Sequence, residues 1–215
     1  MKLGTLSALT LACLLAWPCA AEAGRSRVKR HRQPTISGFL VPAAKFRAEP
    51  LPRPSGHLLL RAVNAPGTEL DVELYDADGN FDPEALAALN HFWRCRRTGT
   101  EKPIEPHLFE LLSIIQDHFD GKPIELVSGF RNQDHTSSYH FHGAASDIQI
   151  PGVPQRELHA FVAGLDTGGM GLGLYPRGGF IHVDVRPQSY RWTDYSPPGS
   201  SDRARKRAHK KHHSV

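Results

Sequence analysis

A single domain that mixes short β-strands with helices is what the sequence predicts, on three observations. Its 215 residues suit one ordinary domain and are too few for two. Apolar residues at 40% and charged residues at 22% exclude wholesale disorder. Short alternating runs bounded by Gly, Pro and Asn are interspersed with stretches whose apolar residues recur every three or four positions, so both secondary-structure periods are present.

Met1 to Ala23 reads as a secretory signal peptide, with Lys2 as the charged start, Leu3 to Trp17 as the apolar stretch and Ala21-Glu22-Ala23 as a small-residue cleavage site. Cys19 follows Trp17 and Pro18, a poor setting for a lipidated cysteine, so cleavage after Ala23 is expected. That cut leaves Cys95 as the sole thiol, which forbids an intramolecular disulfide and suits burial. Beyond the leader no apolar run approaches the ~18 residues of a spanning helix, and no transmembrane segment is expected in the mature chain.

Residues 24–55 are rich in Arg and Pro and read as a linker across the domain surface, with folded structure expected over 56–200. His57 to Asn64 and Glu69 to Tyr75, separated by Ala65-Pro66-Gly67, form a hairpin pattern. Asp76, Asp78 and Asn80 resemble the start of a calcium loop, but the required Gly and Glu do not follow, and a plain turn is expected. Asp82-Pro83-Glu84 then supplies a cap, a proline at the first helical position and an acidic first turn for a helix over Ala85 to Arg94. A second helix runs from about Glu105 to Phe119, with Leu108, Leu111, Leu112 and Ile115 on one face. Ile124 to Ser128 reads as a buried strand, Ile148 to Ile150 as another, Pro154 to Leu165 as a third helix and Phe180 to Arg186 as a strand carrying His182 and Asp184.

The charges are segregated. Arg25, Arg27, Lys29, Arg30 and Arg32 follow the leader, and six basic residues crowd the final thirteen positions, whereas positions 33 to 201 hold 14 basic against 20 acidic residues, a net −6. An acidic body argues against a nucleic-acid groove. The basic arms, including a His-rich disordered tail over 201–215, suit attachment to an anionic envelope polymer or lipid.

The chemistry begins at Gly129. His140 and Asp147 are separated by six residues containing a glycine and two alanines, a spacing that lets both converge on one ion from a loop entering a strand. His182 alternates with Ile181 and Val183 and shares a strand face with Asp184. Two histidines, one carboxylate and water make the open tetrahedral arrangement of a catalytic zinc ion, whereas a closed structural site favours cysteines that the mature chain lacks.

Four ordered elements carry a resemblance: Ser128-Gly129-Phe130-Arg131, then Ser138-x-His140-x-x-Gly143-x-Ala145-x-Asp147, then Gly168-Gly169-Met170-Gly171, then Phe180-Ile181-His182-Val183-Asp184. Over about residues 56 to 193 the chain resembles the D-alanyl-D-alanine metallopeptidase superfamily and, within it, the murein endopeptidase K type. The resemblance implies an α+β domain of the hedgehog and D-Ala-D-Ala peptidase kind, a small antiparallel sheet with packed helices. It also implies one zinc ion, peptidoglycan peptides as substrate, and action in the periplasm or cell envelope. Carried over, His140, Asp147 and His182 are the metal ligands, and Arg131 faces the substrate and the developing oxyanion. Many relatives place an acid just before the last histidine, where this chain has Gly178, Gly179, Phe180 and Ile181; Asp184 is the nearest acid and is expected to act as general base. The exchanged assignment, Asp184 as ligand and His182 as partner of the intermediate, stays open. Ser138 is expected to orient the loop against substrate, and His142 to be structural or to support a ligand. Only six residues separate Arg131 from Ser138, a shortening expected to reshape the cleft. The competing reading is a zinc-dependent cell-wall or peptide binding module that kept the fold and lost hydrolysis.

Overall fold

The computed structural model describes residues 35–134 and 136–198. The signal peptide, the Arg-rich start of the linker and the basic tail lie outside the described residues. In chain order the elements are β1 (Ile36–Leu40), a 3-10 turn (Ala43–Lys45), β2 (His57–Ala62), β3 (Glu69–Glu73), α1 (Pro83–Trp93), α2 (Pro106–His118), β4 (Ile124–Ser128), α3 (Tyr139–His142), β5 (Ala145–Gln149), α4 (Gln155–Ala163), β6 (Met170–Tyr175), β7 (Phe180–Val185) and β8 (Tyr190–Asp194). They build an α+β domain around one eight-stranded sheet of order β1-β8-β6-β7-β5-β4-β2-β3.

The expected elements form for the expected reasons. Glu69–Glu73 pairs antiparallel with β2 through the turn at Ala65-Pro66-Gly67. The Asp82 carboxylate accepts from the Glu84 N–H at 2.9 Å, capping α1 with Pro83 in its first turn. In α2, Leu108, Leu111, Leu112 and Ile115 are buried as their spacing requires.

Two readings are corrected. Residues 24–55 are not wholly a linker, because Ile36–Leu40 pairs antiparallel with β8. All five residues of β1 are exposed, so the strand is held by its backbone ladder and leaves no burial pattern in the sequence. The sheet is neither small nor wholly antiparallel: β2 pairs parallel with β4, and β6 with β8. Met170–Tyr175, to which the sequence assigned no element, is a central strand; Gly171 and Gly173 lie under side chains that leave no room for a Cβ.

One sheet face is the core. Ile148, Ile181, Val183, Leu172 and Leu174 are buried on it beside α2 and α4. Trp93, at the end of α1, is fully buried, meets Phe109 edge-on at 5.0 Å, and donates its Nε1–H to Ser146 Oγ at 2.9 Å. That bond pins β5 one residue before Asp147. Trp93→Phe should therefore destabilise the domain by about 1–2 kcal/mol, read as a lowered urea midpoint at unchanged slope, because the buried Ser146 hydroxyl loses its donor. An unchanged midpoint would show that this bond does not hold β5.

Candidate metal centre

The site is assembled on the opposite face of β5 and β7. His140 sits on the single turn α3, which ends at Gly143 in the left-handed conformation with φ 73°. A Cβ there would stand 2.7 Å from the Pro103 carbonyl oxygen, so glycine is needed twice over. The end of β4 braces that turn: His140 Nδ1–H donates to the Gly129 carbonyl at 2.7 Å, and the Arg131 N–H donates to the His140 carbonyl at 3.2 Å. Asp147 and His182 are direct register partners across β5 and β7.

The three side chains meet. His140 Nε2 lies 3.3 Å from Asp147 Oδ1 and 3.1 Å from His182 Nδ1, and His182 Nδ1 lies 2.9 Å from Asp147 Oδ1. All three residues are buried. Four-coordinate zinc with bonds of ~2.0–2.1 Å separates its ligand atoms by about 3.3 Å, so this triangle has nearly the dimensions of one tetrahedral face. Its electronics agree. With the Nδ1–H of His140 committed to Gly129 and the Nε2–H of His182 to Asp184, the two inward nitrogens present lone pairs to each other and to a carboxylate, an arrangement that a cation satisfies. Burial alone would raise the Asp147 carboxyl, but protons on the inward nitrogens of His140 and His182, standing where a cation would, outweigh it and hold the group well below the usual carboxylate range. Burial lowers His140. For His182 burial acts the same way, but hydrogen bonds to Asp147 and Asp184 prevail and raise it.

Asp184 stands on the outer side of the His182 ring. Its Oδ2 accepts from His182 Nε2 at 2.8 Å, the ring nitrogen facing away from the cluster. It is fully buried and gripped on both oxygens by Arg186, with Nε to Oδ1 at 2.6 Å and the second bond to Oδ2. Burial raises its pKa, but these bonds from Arg186 and His182 prevail and lower it. A carboxylate in that place, behind the ring, is positioned to orient His182. Alternation placed Asp184 on the face of His182, and a residue two positions along a strand stands beside its neighbour, here against the outer ring nitrogen.

Arg131 is at the mouth. Its Nη2 lies 3.5 Å from Asp147 Oδ2, the side chain is 42% exposed, and its Nε is buried with no hydrogen-bond partner among the described residues. Ser138 caps α3 through its carbonyl, which accepts from the Phe141 and His142 N–H groups, while its side chain makes no capping bond. The structure does not bring that hydroxyl into the cluster. His142 is exposed and supports no ligand. Cys95 is buried, as a lone thiol should be. Sequence reasoning missed Arg186, which the same alternation that exposed His182 and Asp184 would have placed on their face.

A family model described as peptidoglycan L,D-endopeptidase MepK matches residues 56–192. The span contains every member of the triangle. The chain belongs to the MepK family. It is 32% identical over 165 residues to peptidoglycan L,D-endopeptidase MepK of Escherichia coli K12, covering 71% of this chain and 88% of that protein. The MepK of Shigella flexneri aligns equally, and the probable MepK of Haemophilus influenzae is 32% identical over 144 residues, 60% of this chain and 75% of its own length. No solved structure matches the chain. Strand β1 lies outside the MepK match, and no helix among the described residues is long and apolar enough to cross a membrane.

Proposed function

We propose that this chain is an exported zinc peptidase that hydrolyses peptide cross-links of peptidoglycan in the periplasm or cell envelope, with the L,D bond specificity that its relatives' names carry. The observation that supports it most is the buried triangle of His140, Asp147 and His182, whose inward lone pairs fit a tetrahedral zinc ion. The fold proposed with it is of the hedgehog and D-Ala-D-Ala peptidase kind.

When bound, zinc supplies an acidified water and polarises the scissile carbonyl. This chain's residues do the rest. The Gly129 carbonyl fixes the tautomer of His140, and Asp184 fixes that of His182, so both present bare nitrogens inward. Arg131, exposed beside Asp147 and with an Nε that has no partner among the described residues, is placed to hold a stem-peptide carboxylate or the oxygen that gains charge at the scissile carbonyl. The basic arms are proposed to hold the enzyme on anionic envelope material.

The test is digestion of purified sacculi by the zinc-loaded chain, followed by mass spectrometry of the muropeptides. L,D-cross-linked dimers should fall and monomers rise, and a chelator should stop both. Dimers left intact while the protein sediments with the sacculi would replace the enzyme by a binding module.

A further inference from the structure

The face that carries the triangle continues beyond it as a shelf of flat side chains. Asp147 pairs with His182, His182 with Gly173, Gly173 with Trp192 and Trp192 with Gly38, so one line of register crosses five strands from the metal candidate to the edge. Beside it run Ala145, Asp184, Gly171, Tyr190 and Leu40. The glycines are the floor. A Cβ on Gly173 would stand 2.4 Å from the Trp192 ring, and one on Gly38 would stand 2.5 Å from the Tyr190 hydroxyl and 2.8 Å from its ring. Gly171 is covered in the same way by the Asp184–Arg186 pair.

The rings are fixed in place. Trp192 donates its Nε1–H to the Tyr175 hydroxyl at 3.1 Å, packs 5.0 Å from the His182 ring and lies 6.0 Å from the Tyr190 ring at 32°. Both rings are half-buried, with the glycine floor on one side. The indole thus joins the triangle to the shelf with no intervening side chain.

We propose that this shelf binds the glycan strand, Trp192 and Tyr190 stacking on the apolar faces of N-acetylated hexosamine rings whose attached peptide enters the triangle. The proposal rests on the peptidoglycan reading above. Charge selects sugar over peptide as the occupant. A stem peptide carries carboxylates and calls for free cations, but the guanidinium packed on this shelf, Arg186, is spent on both oxygens of Asp184, and Asp194 adds an acid at its edge. Arg131 meets the triangle at Asp147, whereas Trp192 meets it at His182, so the peptide's charge and the glycan have separate approaches. A neutral pyranose with one face of C–H groups suits amphipathic rings held flat.

The sequence has three tryptophans; Trp17 lies in the leader and Trp93 is fully buried, which makes Trp192 the optical reporter. Titrating the mature chain with chitotetraose should give a saturable change in tryptophan fluorescence. By calorimetry, Trp192→Ala and Tyr190→Ala should each weaken binding roughly tenfold or more. Tyr190 does not touch the triangle, so its variant should keep the zinc content of the parent, which separates a lost subsite from a disturbed centre. Absence of saturable binding, or binding that neither substitution weakens, overturns the proposal. So does a response of Trp192 to a free stem tripeptide but not to the glycan, in which case the shelf is a peptide subsite and the cross-link assay still stands. Glycan binding weakened by both variants in a chain that cleaves no cross-link would keep the shelf and reject the peptidase reading.

Discussion

Replacing His140 and Asp147 together by alanine is expected to remove the bound zinc and to lower cross-link hydrolysis by at least about 10³-fold, since the acidified water that the metal supplies is lost with it. Two of three inward ligand atoms disappear, and His182 Nδ1 alone cannot retain the ion. The comparison must be a difference from the parent chain, because His209, His212 and His213 offer adventitious metal binding to both proteins equally. One equivalent of zinc per chain should vanish in the double variant. Excess zinc should not restore activity, since what is missing is the coordination itself. A double variant that keeps that equivalent sinks the proposed centre, whatever its activity.

How far the sequence disclosed this centre can be stated residue by residue. His140, Asp147 and His182 were legible as one group because residue type, spacing and strand alternation all point the same way, and the structure brings them within hydrogen-bonding distance of one another. The role of Asp184 was not legible. Alternation gives the face a side chain occupies and says nothing of which ring nitrogen its neighbour offers, and that nitrogen decides whether Asp184 stands before the metal or behind it. Strands β6 and β1 escaped for opposite reasons. Glycines that elsewhere mark turns serve β6 as a floor for Trp192 and for the Asp184–Arg186 pair, while β1 buries nothing and so carries no apolar signature. Helices α1, α2 and α4 were legible because an apolar face, joined at α1 by a side-chain cap, is a local property, whereas the single turn α3 was read as loop.

The role proposed for Asp184, behind His182, gives the second large effect. As a positioning residue, Asp184→Asn should keep the fold, loosen His182 and weaken zinc binding by roughly 10–100-fold, the usual consequence of removing a carboxylate behind a metal-bound histidine. Activity should fall at limiting zinc and return when zinc is in excess. A general base would behave otherwise: zinc would stay bound and turnover would fall by ~10²–10⁴-fold at any zinc concentration. His182→Ala, which removes a ligand, should resist rescue. Asp184→Ala should go further than Asn, because the half-buried Arg186 guanidinium and the His182 N–H both lose their acceptor. Breaking a buried pair from one side costs about 3–5 kcal/mol, and a lowered urea midpoint should accompany the loss of zinc. Measuring zinc affinity, turnover at saturating zinc and unfolding for these three variants decides the matter. Asp184→Asn with undiminished zinc affinity and a hundredfold loss of turnover would return the residue to the role of base and require His182 to turn in the working enzyme.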